Sequence, residues 1–373
     1  MSGDLLTLFL CGDVMLGRGV DQILPCPGGP ALRERYVKDA RGYVELAEAA
    51  HGPITVPAGF AEPWGEALPL LDEAAPDARV INLETAVTRH DGFAPGKEVH
   101  YRMNPANLPC LTAARPDVCV LGNNHVLDFG RPGLAETLDA LAGAGLRTAG
   151  AGRNADEACR PAVVPLGPGT RLLVLSVALP SSGVPPAWAA TADRSGVAFA
   201  DGPTDAAAHA VTRRVGQVKR PGDLVVVSVH MGSNWGYSVP REQTAFARAL
   251  VDGGVDLVHG HSSHHIRPLE VHRGKLVLHG CGDFIDDYEG ITGYEEYRDD
   301  LRPAHLATLE PDTGRLVALR IVPFRARRMR LWHAPPADAR WMSALLARIT
   351  SGFRPPTGPS ADGGITLRPE PGG

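Results

Sequence analysis

The sequence predicts an α/β fold, a sandwich with a mostly parallel sheet in each half. Two observations predict it. Short apolar runs alternate with segments of helical periodicity along most of the chain. Five of those runs also end in a polar motif at the same place, just past the strand. The motifs are Cys11-Gly12-Asp13-Val14-Met15-Leu16-Gly17-Arg18, Ile81-Asn82-Leu83-Glu84-Thr85, Leu121-Gly122-Asn123-Asn124-His125, Val229-His230-Met231-Gly232 and Gly260-His261-Ser262-Ser263-His264. In an open α/β sheet the carboxyl ends of the strands line one crevice, where ligands bind. The spacing therefore predicts a single polar site.

Leu5–Cys11 reads as a buried first strand that Gly12-Asp13 ends. Pro25–Pro30 is turn-rich and opens an insertion running to about Gly65. Leu68–Ala75 is helical and Ala78–Leu83 is the second strand. Asn104–Ala114 is a helix leading into strand Val118–Leu121, and Pro132–Ala144 is a helix stopped by Gly145. Arg147–Ala149, Ala162–Val164 and Arg171–Ala178 are strands. The Pro/Ser/Ala-rich stretch after Pro180 is a loop over the site. Thr204 caps a helix over Asp205–Lys219, and β-branched Leu224–Val229 is a central strand. A helix at Gln243–Asp252, strands Val255–Val258 and Lys275–His279, and a hairpin around Asp312-Thr313-Gly314 follow. Trp341–Ile349 is the last helix. Residues 1–350 form one domain, and the Gly/Pro-rich tail 351–373 is expected to be disordered.

The 373 residues suffice for one large domain, and 44% hydrophobic residues allow a core of ordinary size. A net charge of -5 with no block of like charge gives no electrostatic footprint for nucleic acid or for an acidic membrane. No run reaches the length of a membrane helix, and no basic stretch precedes an apolar one near Met1. The six cysteines form no CxxC pair. A reduced, cytoplasmic protein is expected. Oligomeric state is left open.

Each motif carries a side chain able to bind a divalent cation. Asp13 offers a carboxylate, although it could instead cap a helix starting near Leu16. Glu84 could bind metal or act as an acid or base. Asn124 offers an amide oxygen that suits a hard cation, and His125, with Asp128 to orient it, can move a proton near neutral pH. His230 ends the most apolar strand. His259, His261, His264 and His265 put four imidazoles in seven residues, which packing alone does not explain. Asp283 lies in an acidic run after Cys281. The expected ligands are a subset of Asp13, Glu84, Asn124, His230 and His261, for Mn²⁺, Fe²⁺ or Zn²⁺, or for Ca²⁺ or Mg²⁺ if the imidazoles stay out.

Together the five motifs resemble those of the capsule and poly-γ-glutamate biosynthesis (CapA-like) proteins of the metallo-dependent phosphatase, or calcineurin-like, superfamily. The resemblance spans about residues 5–325 and implies a four-layer α/β/β/α sandwich with metal at the strand ends. Asn124-His125, His230 and His261 with His264 match the superfamily's later motifs. Met15 stands where the first motif has a histidine, and Glu84 where the second has an aspartate. That departure implies a single cation, or one strong and one weak site. The stretch Gly280–Gly290 resembles a soluble branch that includes the lasso-peptide C-terminal epimerase.

Three functions follow. One is metal-dependent epimerisation at the Cα of a precursor peptide's C-terminal residue. It would use His125 against a carboxylate from Asp13, Glu84 or Asp283, with His261 or His264 as the alternative partner. Arg18 would bind the substrate carboxylate, and Trp235 and Phe284 would line the pocket. The second is hydrolysis of a phosphoester or of a γ-glutamyl or peptide amide. The third is a scaffolding role on the same fold.

Overall fold

Side chains alternate across a strand, and along the first strand that alternation sets the layers. The computed structural model describes residues 5–167, 169–356 and 358–371. In strand Leu6–Val14, Leu6, Leu8 and Leu10 enter one apolar cluster with Val174, Val226 and Leu276 of a second sheet. Phe9 and Cys11 point the other way, into a cluster with Leu71, Leu111 and Leu138 from helices Ala67–Ala74, Leu108–Ala113 and Gly130–Gly143. The far face of the second sheet, through Leu173, Val225 and Val227, packs on helices Asp205–Val218 and Arg241–Asp252. The order is helix, sheet, sheet, helix, the four-layer sandwich expected.

The centre of each sheet is parallel. In the first, Leu6–Val14 lies beside Ala78–Leu83, followed by Val118–Val120 and Arg147–Ala149. In the second, Thr170–Ala178, Leu224–His230, Leu257–His261 and Lys275–Leu278 run in parallel. Antiparallel strands add to both, among them the hairpin Leu301–Leu309 and Leu316–Ala326. Every residue of Leu224–His230 is buried, whichever face it points to, as a central parallel strand requires.

One expectation changes. The tail is ordered where described: Ile365–Leu367 pairs with Leu316–Ala326, and Ile365 and Leu367 are fully buried between the sheets. The insertion carries helix Arg41–His51 and buries Trp64. No described helix is long and apolar enough to cross a membrane.

His305 lies opposite Leu10 in the inter-sheet core, and neither ring nitrogen makes a well-aligned hydrogen bond. Burial pushes its pKa down to about 3, and the Leu10 carbonyl offsets this only in part. The unfolded ring titrates near 6.5. The neutral core form therefore contributes its full stability above that value and loses it as pH falls toward the folded pKa. His305→Leu also removes an unsatisfied polar group, a cost of about 1–3 kcal/mol. It is expected to raise the urea midpoint, and by more at pH 5 than at pH 8. An equal shift at both pH values would contradict the titration.

A candidate metal centre at the strand ends

The tripeptide Cys-Gly-Asp occurs twice, at 11–13 and at 281–283. The first copy lies at the end of strand Leu6–Val14 and the second leads into the neighbouring parallel strand Asp283–Ile285, so that Asp13 pairs in register with Asp283. The strands approach closely because Gly12 lacks a side chain; a Cβ there would lie 1.7 Å from the Gly282 carbonyl oxygen. Two buried carboxylates are thus set side by side.

Around them stand two trios of donors that share Asp13: Asp13 with His230 and His261, and Asp13 with His264 and Asp283. Donor atoms within each trio lie within 4.8 Å of one another. His230 and His261 end adjacent strands in register, with their Nδ1 atoms 2.6 Å apart. Asn124 places its Oδ1 3.0 Å from His230 Nε2, and Glu84 Oε1 lies 3.7 Å from the same nitrogen. Asn82 donates through one amide nitrogen to Asp13 Oδ1 at 2.7 Å and to Glu84 Oε2 at 2.8 Å. Asp13 Oδ2 is buried with no partner.

Burial raises the pKa of Asp13 well above the carboxylate range, and repulsion from Glu84 and Asp283 adds to it. Burial likewise raises Glu84 and Asp283, with the His264 imidazole opposing it at Asp283. Three buried carboxylates, one with an orphaned oxygen, beside the His230 and His261 imidazoles, whose pKa values burial lowers, form a donor set short of positive charge. A divalent cation supplies that charge and reverses the local pKa order.

Two histidine–carboxylate dyads belong to the centre, one beside the trios and one within the second. His125 Nδ1 is 2.6 Å from Asp128 Oδ2, which leaves Nε2 free, 3.9 Å from Glu84 Oε1. Burial lowers the His125 pKa to about 4, against the pull of Asp128. His264 Nδ1 lies 2.9 Å from Asp283 Oδ1, and although burial opposes it, that carboxylate raises the His264 pKa. Behind the trios, Ser228 Oγ lies 2.7 Å from His261 Nε2 and fixes the ring.

Asp13, Glu84, Asn124, His125, His230, His261, His264 and Asp283 thus come together. Met15 is buried with its sulfur 3.9 Å from the Tyr288 hydroxyl, outside both trios. Of the substrate-binding residues expected, Phe284 lies outside the site and Arg18 lies on its wall. Phe284 follows Asp283 on a strand, so it faces away; it is fully buried against Phe9, Trp64 and Phe324. Arg18 lines the same cavity as Trp235 and His264, but its guanidinium is already paired. Its guanidinium is held by Asp287 at 2.5 Å and Glu34 at 2.7 Å and lies between the Tyr43 and Tyr101 rings. Trp235 does line a cavity of about 230 Å³ beside His264, with its ring stacked 3.9 Å from Tyr294. Reading the sequence missed Lys97, which reaches Asp128 Oδ1 at 2.5 Å and lies 5.3 Å from the Trp188 ring of the covering loop. It comes from a loop with no motif of its own.

Residues 7–288 match the family described as bacterial capsule synthesis protein PGA_cap. A probable polyglutamine synthesis accessory protein of Mycobacterium tuberculosis is 52% identical over 351 residues, 94% of this chain and 92% of that protein. The PGA biosynthesis protein CapA of Bacillus subtilis is 26% identical over 77% of this chain and 64% of its own length. A crystal structure of a Thermus thermophilus protein aligns over 84% of this chain and 97% of that one, with a TM-score of 0.37 and 10% identity, too loose a likeness to bear on the fold.

Proposed function

The chain belongs to the bacterial capsule synthesis protein family, and from that premise we propose that it is a metal-dependent hydrolase of amide bonds in a glutamyl polymer. The observation that carries this is the pair of donor trios joined at Asp13. The polymer follows from the relatives, which are named for polyglutamine synthesis and for PGA biosynthesis.

Asp13, His230 and His261 would hold one cation, and Asp13, His264 and Asp283 a second. Such a cation supplies Lewis-acid stabilisation of the charge that develops on the amide oxygen. His125 supplies proton transfer. With Nδ1 tied to Asp128, its Nε2 accepts a proton from the attacking water and returns it to the departing amine nitrogen. Lys97 holds Asp128 and so fixes the ring. Glu84 and Asn82 keep Asp13 oriented.

A second reading, epimerisation at Cα, is favoured by the two dyads His125–Asp128 and His264–Asp283 on the same carboxylate cluster. One experiment separates them. Metal-loaded protein is incubated with poly-γ-glutamate in heavy water and the products are weighed by mass spectrometry. Hydrolysis gives shorter chains with new amino groups and no deuterium at Cα. Epimerisation gives full-length chains with deuterium at Cα. We expect the first, slowed about 10²–10⁴-fold in His125→Ala. Full-length, undeuterated polymer with every cation tried would end both readings.

A further inference from the structure

We propose that the turn Ala326–Arg330 and the cavity beside it form a cationic exosite that holds a polycarboxylate chain and leads it to the metal centre. The proposal rests on the hydrolase reading for what lies at the end of the track, and on separate observations for the surface itself.

Three cavities share wall residues in sequence. The innermost, of about 230 Å³, is lined by His264, Trp235 and Tyr288. It shares Tyr288, Ile291 and Asp299 with a second of about 280 Å³. The second shares His51 and Arg325 with a third of about 600 Å³. The charge changes along this line. In the middle cavity Arg298, Arg302 and Arg325 face Glu289, Glu295, Asp299 and Asp300. The outer cavity is lined by Arg325, Arg327 and Arg328 with His51 and His333 and, among the described residues, by no acid.

Arg327 and Arg328 are exposed, and among the described residues neither side chain pairs with a carboxylate, whereas neighbouring Arg325 and Arg330 pair with Asp300 and Glu62. The backbone presenting them is held in a costly shape. Arg328 and Met329 are consecutive non-glycine residues with φ of 56° and 52°. Such left-handed geometry persists only where the surroundings enforce it. Here Glu289 accepts from the backbone N–H groups of both residues, at 2.7 and 2.5 Å, and its carboxylate also meets His51 Nδ1 at 2.7 Å. Met329 is buried in the core beneath, and the Trp332 indole donates to the Arg327 carbonyl. The turn is thus fixed from below, with two unpaired guanidinium groups facing out.

A polycarboxylate suits this surface better than a nucleic acid does. Among the described residues, Trp332 is the only Phe, Tyr or Trp lining the outer cavity, where single-stranded nucleic acid binding uses a series of stacking rings. Guanidinium forks pair bidentately with carboxylates, and successive glutamyl units would present one carboxylate each.

The test is direct binding of fluorescent poly-γ-glutamate to the full chain, with glutamate monomer and an oligonucleotide of equal charge as comparisons. Wild type is expected to bind the polymer, to prefer it to both, and to weaken as salt rises. Arg327→Glu/Arg328→Glu is expected to lose about tenfold or more in affinity, with an unchanged melting temperature and unchanged turnover of a short γ-glutamyl anilide. Arg327→Lys/Arg328→Lys should retain most of the binding. Wild-type protein that fails to bind, reversal that leaves binding intact, or tighter binding of the oligonucleotide would each overturn the exosite. Binding lost on reversal in a protein that cuts no amide would leave the exosite standing and end the hydrolase reading instead.

Discussion

Asp13→Asn is expected to lower hydrolysis of a glutamyl amide by about 10³-fold or more, the several kcal/mol that a cation contributes to transition-state charge. Asp13 belongs to both trios, so this one change removes a donor from each. The same substitution should leave metal-free protein as stable as wild type, or more so. An asparagine Oδ1 still accepts from Asn82, while the buried carboxylate, raised in pKa by burial and by Glu84 and Asp283, is gone. Functional sites carry unfavourable groups of this kind. Kinetics and thermal melts of the metal-free forms check both halves. Activity within tenfold of wild type would remove Asp13 from the centre.

Arg18→Ala is expected to cost about 3–5 kcal/mol of stability, the usual result of removing one partner from a buried ionic cluster. Asp287 and Glu34 are both buried and both lean on that guanidinium, at 2.5 and 2.7 Å. Deleting it strands two carboxylates. Arg18→Met combined with Glu34→Gln and Asp287→Asn should recover most of the loss, because no charge is left unpaired. Urea unfolding measures both. A cost below about 1 kcal/mol for Arg18→Ala, the range of an exposed pair, would mean that the guanidinium does not hold the buried cluster.

The strand ends were legible because each polar motif follows an apolar run, and convergence at one crevice is a property of parallel sheets. Asp283 was legible in principle, since Cys281-Gly282-Asp283 repeats Cys11-Gly12-Asp13. The period of two along a strand would also have excluded Phe284 from the site once Asp283 was placed in it. Arg18 was not legible. Its partners lie 16 and 269 residues away, and nothing local marks a guanidinium as already paired. Strand Ile365–Leu367 was hidden for a similar reason. Three residues among glycines and prolines carry no periodicity, and the strand exists through its pairing with Leu319–Ile321.

Calorimetric titration of metal-free protein with Mn²⁺ or Zn²⁺ tests the shared-aspartate centre most directly. Two cations per chain are predicted for wild type. One is predicted for His264→Ala, which leaves Asp13, His230 and His261 intact, and none at comparable affinity for Asp13→Asn. Wild-type protein that binds no cation, or Asp13→Asn protein that titrates like wild type, would contradict the account.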